Sequence, residues 1–114
     1  METTQARAVS RYIDIPAQKV RLVIDVVRGM DVNDALTQLQ FMTQGAALPV
    51  RKVIASAAAN AEENLGLSRE DLYVATIMAD EAPTRKWRRF GARGRFKPIL
   101  RRTSHISVVL KERN

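Results

Sequence analysis

The sequence predicts an α+β protein, with helices before Gly66 and extended segments after it. Three observations carry that prediction. Between Pro16 and Gly66, apolar residues recur at helical spacing in three successive blocks. From Leu72 the apolar period falls from 3.6 to 2. The glycines of Gly91-Ala92-Arg93-Gly94 then lie midway between that segment and the β-branched run "SHISVVL", where a hairpin would turn.

Taken in order, "ARAVSRYIDI" mixes apolar and polar residues with Tyr and Ile and reads as a short strand. Pro16 suits a first helical position, where its missing N–H is no loss. Val20, Val23, Ile24 and Val27 follow at i, i+3, i+4 and i+7, and Gly29 ends the helix. Asp31 and Asp34 resemble a capping pair for a second helix whose stripe is Val32, Ala35, Leu36 and Leu39. Gly45 interrupts before a third, longer helix that ends near Gly66. On it Val50, Val53, Ile54, Ala57, Ala58 and Ala61 share one face, and their small size lets another element approach closely. Packing is the simple reading of such an alanine-rich face; Asn60 and Asn64 are available for caps or contacts. In the following strand Leu72, Val74, Thr76 and Met78 alternate with Tyr73, Ala75, Ile77 and Ala79.

Composition bounds the function. The chain has 114 residues, enough for one domain with a modest core, and 46% hydrophobic against 27% charged residues marks a globular profile. With no cysteine, disulfides and thiolate metal sites are excluded. "METTQARAVSRY" lacks the apolar core of a signal peptide, and no apolar run approaches membrane length, so a cytoplasmic protein is expected. The net charge is +7, and its placement is uneven: residues 1–84 hold 8 basic and 11 acidic side chains, residues 85–102 hold 9 and none. A solvated face normally mixes both signs, whereas an unopposed block is an electrostatic footprint for a polyanion.

That block lies within the expected hairpin. If both strands continue to the turn, each arm is nearly twenty residues long and, at ~3.3 Å per residue, reaches roughly 60 Å. An ordinary strand has about five or six residues, so most of the arm projects beyond the core. A two-stranded ribbon is marginal on its own, and nine positive charges weaken it further. Order then comes from a partner that neutralises the charge and accepts Trp87, Phe90 and Phe96. RNA or DNA offers phosphates to Arg and Lys, and base faces to aromatic rings and guanidinium planes. Seven of the nine basic residues are Arg, the side chain suited to bidentate phosphate contact and stacking.

Other motifs carry less. Gly91-Ala92-Arg93-Gly94 matches a GxxG loop, but the KH loop of that pattern joins two helices and this one lies in a strand-like segment. His105 is the single histidine, on a strand with apolar neighbours, and reads as a structural imidazole. Asp80 and Glu81 are adjacent and point to opposite faces if extended. No catalytic constellation emerges, so the chain is not expected to be an enzyme.

"SRYIDIPAQKVRLVIDVVRG", "ASAAANAEEN", "LYVATIMADEAPTRK", "GARGRF" and "RRTSHISVVL", in this order and spacing, resemble the bacterial large-subunit ribosomal protein L-twenty-two family across essentially the whole chain. The resemblance implies three helices packed on a small antiparallel sheet, with one long protruding β-hairpin. It implies one domain over 1–114 with the basic arm over 80–103, binding to large-subunit ribosomal RNA, a role in subunit assembly, and a hairpin tip lining the nascent-peptide exit tunnel. Neighbouring ribosomal proteins and the nascent polypeptide would be its other partners; it would act as a monomer within the ribosome, with no cofactor, metal or membrane. The chain departs from the family pattern in three places: Ile15 replaces a Ser before the proline, Ala82 replaces a Gly, and Phe90-Gly91-Ala92 stands where Pro-Arg-Ala is common.

The candidate RNA-binding residues are therefore Arg85, Lys86, Arg88, Arg89, Arg93, Arg95, Lys97, Arg101 and Arg102 for phosphates, with Trp87, Phe90 and Phe96 stacking or wedging. Arg7, Arg11, Lys19 and Arg21 are candidates on the body. Phe90, Gly91, Ala92, Arg93, Gly94 and Arg95 form the expected tunnel-lining tip. The alternative from another class is an architectural DNA-binding protein that lays a basic β-arm into a minor groove, usually as a dimer with paired arms.

Overall fold

The computed structural model describes residues 5–83, 85–90 and 96–113, with side chains for 5–83 and 102–113 and the backbone for 85–90 and 96–101. In chain order the elements are β1 (Gln5–Ile13), α1 (Ala17–Val27), α2 (Val32–Gln40), α3 (Ala47–Leu65), β2 (Leu72–Glu81), β3 (Arg85–Phe90), β4 (Phe96–Arg101) and β5 (Ser104–Glu112). The fold is α+β: three helices packed on one face of a three-stranded antiparallel sheet of order β1-β5-β2, with β3 and β4 paired separately.

The helices form where apolar spacing demands. Val20, Val23, Ile24 and Val27 of α1 are buried, as are Val32, Ala35 and Leu39 of α2, while Leu36 is half-buried. On α3 the full predicted face is buried, from Val50 to Ala61. α3 lies across β1 and β5, and its three alanines permit that approach; α1 covers β2, and α2 packs on α3. Gly66 closes α3 at φ +65°, and the Leu67 N–H reaches back to the Ala61 carbonyl at 3.1 Å, satisfying a terminal acceptor.

Two helix starts differ from expectation. Pro16 is the N-cap of α1 rather than its first helical residue, and its carbonyl accepts from the Lys19 and Val20 N–H groups at 3.0 and 3.2 Å. Asp31 caps α2 by position but makes no side-chain cap bond. Its carboxylate instead accepts from Arg113 Nε at 2.7 Å, because the chain end lies beside the α1–α2 connection. A charged donor is a stronger partner than a backbone N–H.

The strand β2 corrects the simple alternation. Leu72 and Val74 face the core, but so do Ile77 and Ala79, whereas Thr76 and Met78 face outward. The reason is a bulge: Val74 pairs with Leu110 and Thr76 with Val109, leaving Ala75 as an extra residue. One inserted residue exchanges the two faces downstream. Central β5 has no such slip, and Ser104, Ile106, Val108 and Leu110 alternate inward without a break.

Candidate nucleic-acid interface

β2 and β5 pair as far as Glu81 with Ser104, and beyond them β3 and β4 continue as a two-stranded ribbon. Arg85 pairs with Arg101, Lys86 with Leu100, Trp87 with Ile99, Arg88 with Pro98, Arg89 with Lys97, and Phe90 with Phe96. Pro98 sits in a two-stranded ribbon, where an edge is available for a residue lacking N–H. The ribbon thus brings nine predicted site residues onto one ladder: Arg85 to Phe90 on one strand, and Phe96, Lys97 and Arg101 on the other, with Arg102 exposed just beyond. The register pairs residues of like charge, such as Arg85 with Arg101 and Arg89 with Lys97. Cross-strand pairs of that kind oppose pairing in water and favour an anionic partner. Gly91, Ala92, Arg93, Gly94 and Arg95 lie outside the described residues.

The molecule is correspondingly long. Its extents are 64 × 28 × 20 Å and its radius of gyration is 17.2 Å, against about 13 Å for a compact chain of this length.

On the body, Arg7, Arg11 and Lys19 are exposed and form no ion pair with another described residue. Arg7 stands on the uncovered face of the sheet beside Val9, Thr76, Met78, Ser107 and Val109, around a shallow hollow of about 440 Å³. Arg21 is partly committed to the fold, since its Nε donates to the Ala79 carbonyl at 3.1 Å and joins α1 to β2. Lys19 and Arg21 lie on α1, and Arg7 and Arg11 on β1.

Several residues with structural work in the body and at the base of the ribbon escaped sequence reasoning. Arg28 donates to the Ile77 carbonyl at 3.0 Å and pairs with Asp25. Arg113 donates to the Gly29 carbonyl at 3.0 Å and stacks over Tyr73 at 4.4 Å, besides bonding Asp31. Thr103 and Ser104 are buried at the base of the ribbon. Their hydroxyls at the head of the β-branched "SHISVVL" run were the available signal. His105 is half-buried, and its partner is polar rather than apolar: Nδ1 accepts from the Tyr12 N–H at 3.1 Å, and the Tyr12 ring meets the imidazole edge-on at 4.8 Å. Tyr12 reaches it with φ +56°, where the β1–β5 ladder slips between Ser10 and Ile13. Among the described residues, no three His, Cys, Asp or Glu side chains gather as metal ligands would.

The family model for ribosomal protein L22p/L17e matches residues 8–111. The "Large ribosomal subunit protein uL22" of Thermoanaerobacter sp. (strain X514) is 49% identical over 109 residues, spanning 96% of this chain and 98% of that protein. The protein of the same name from Thermoanaerobacter pseudethanolicus (strain ATCC 33223 / 39E) matches to the same extent. A match from β1 to β5, across body and ribbon alike, means that the chain belongs to the ribosomal protein L22p/L17e family and is a structural constituent of the ribosome rather than an enzyme.

Proposed function

We propose that this constituent of the large ribosomal subunit binds large-subunit ribosomal RNA chiefly through the arm over residues 80–103, within a single ribosomal-protein domain of residues 1–114. The observation that carries the reading is the coincidence of nine basic and no acidic residues, 85–102, with a two-stranded ribbon lying outside the core sheet. Arg85, Lys86, Arg88, Arg89, Arg93, Arg95, Lys97, Arg101 and Arg102 neutralise phosphates, and Trp87, Phe90 and Phe96 stack on or wedge between bases. Arg7, Arg11, Lys19 and Arg21 add weaker contacts from the body. The tip, Phe90 to Arg95, lines the nascent-peptide exit tunnel and meets the nascent polypeptide. Neighbouring large-subunit proteins complete the surroundings in the cytoplasmic ribosome, where the chain supports subunit assembly as a monomer without a cofactor.

Phosphate contacts are tested by salt. Affinity for a large-subunit ribosomal RNA fragment falls steeply with salt concentration, and replacing Arg88, Arg89 and Arg93 with Gln flattens the log–log slope by roughly two to three units. An unchanged slope would show that these side chains face solvent or the tunnel.

A further inference from the structure

The ribbon joins the body at one short junction, and the two buried polar side chains among the described residues are both there. Thr103 is 2% exposed and Ser104 0%. The Ser104 hydroxyl donates to the Ile15 carbonyl at 2.8 Å, tying the returning strand to the segment that precedes α1. The Thr103 hydroxyl donates to the Pro83 carbonyl at 3.1 Å, tying the returning strand to the outgoing one. Between them the Ala82 N–H donates to the Thr103 carbonyl at 3.0 Å.

The junction needs such ties because the ladder is interrupted there. Three residues separate Glu81 from Arg85 on the outgoing side, but only two separate Arg101 from Ser104 on the return. The strands pass the junction with a one-residue offset, so no continuous ladder transmits the orientation of the sheet to the ribbon. The ribbon has no core of its own to compensate. Beyond the Ala82–Thr103 backbone bond, direction comes from side chains, and a buried hydroxyl enforces its bond because losing the partner leaves it unsolvated.

We propose that Thr103 and Ser104 are positioning residues that fix the direction in which the arm leaves the body, so that the free protein presents the arm already aimed for its RNA site. Ser104 orients the returning strand against the body, and Thr103 keeps the outgoing strand in step with it. An arm aimed beforehand loses less freedom on binding than one that swings. This inference rests on the reading of the arm as the RNA-binding element.

The chain has no cysteine, so spin labels can be placed without background at Ser56→Cys, on the exposed side of α3, and Pro98→Cys in β4. Pulsed dipolar spectroscopy on the free, full-length protein then reads arm direction as a distance distribution. With native Thr103 and Ser104 the distribution centres on one distance, with a width set by fraying of the ribbon itself. In Thr103→Val/Ser104→Ala, which removes both hydroxyls at nearly constant shape, the peak becomes about two- to threefold wider. Unlabelled protein with the same pair of changes binds the ribosomal RNA fragment about tenfold more weakly. Thr103→Ser alone, which keeps both hydroxyls, leaves both readouts at native values. Far-UV circular dichroism checks the body; should the double variant fail to fold, Thr103→Val alone, whose lost bond joins only the two strands of the junction, decides by the same width. A folded variant with an unchanged distribution overturns the inference. Deleting the arm separates the two readings: if RNA affinity survives the deletion, the RNA reading fails, whatever the spin labels report about direction.

Discussion

Ile54 offers the sharpest test of how the body is held together. It is fully buried at the middle of α3, the helix that crosses β1 and β5 and also receives α2. Ile54→Ala removes buried carbons and leaves a void, which costs about 2–5 kcal/mol depending on how far the surroundings collapse. Here collapse is limited. The next positions on the same face are Ala57, Ala58 and Ala61, which have no side chain long enough to move into the space. The loss should therefore fall in the upper half of the range, about 3.5–5 kcal/mol. For a domain stable by about 5–15 kcal/mol this is a large fraction of the total. Urea unfolding of the free protein, followed by far-UV circular dichroism, measures it: with a slope of about 2 kcal/mol per molar, the midpoint drops by roughly 2 M and the slope stays constant. Leu48→Ala on the same helix is the control, because Leu48 is 48% exposed and its truncation should cost below about 1 kcal/mol. If Ile54→Ala costs no more than Leu48→Ala, the packing of α3 on the sheet is not what holds the body together.

Three further outcomes are expected. In free protein, amide exchange should be slow in α1–α3 and at Ala82, whose N–H is held by Thr103, and fast from about Arg85 to Leu100, where β3 and β4 pair only with each other; uniform protection along the ribbon would count against an arm ordered by its partner. Arg113→Ala should cost about 1–2 kcal/mol by urea unfolding, because a half-exposed ion pair and a cation–π contact are lost together; added salt should shrink only the ion-pair part of that difference. Replacing Phe90 through Arg95 with a short turn should leave occupancy of purified large subunits nearly intact while altering translation of a stalling reporter. Lost occupancy with a normal reporter would make the tip an assembly anchor instead.

The sequence by itself determined the helices, the charge segregation and the family. Repeating stripes such as Val20–Val27 and Val50–Ala61 are local patterns, and a helix buries one face whatever its neighbours are. The unopposed positive block was legible for the same reason: charge is a property of composition, needing no contact to be counted. Tertiary structure decided what depends on register and on distant partners. The face that Thr76 and Met78 present follows from a single extra residue opposite β5, and pairing across the sheet is not written in the alternation of β2 alone. Asp31 looked like a cap because Asp34 is three residues away, yet it bonds Arg113, 82 positions later. Ser104 likewise takes a carbonyl 89 positions earlier as its partner. A polar side chain settles on the strongest partner that the folded chain brings within about 3 Å, and only closure of the sheet brings the two ends of this chain together.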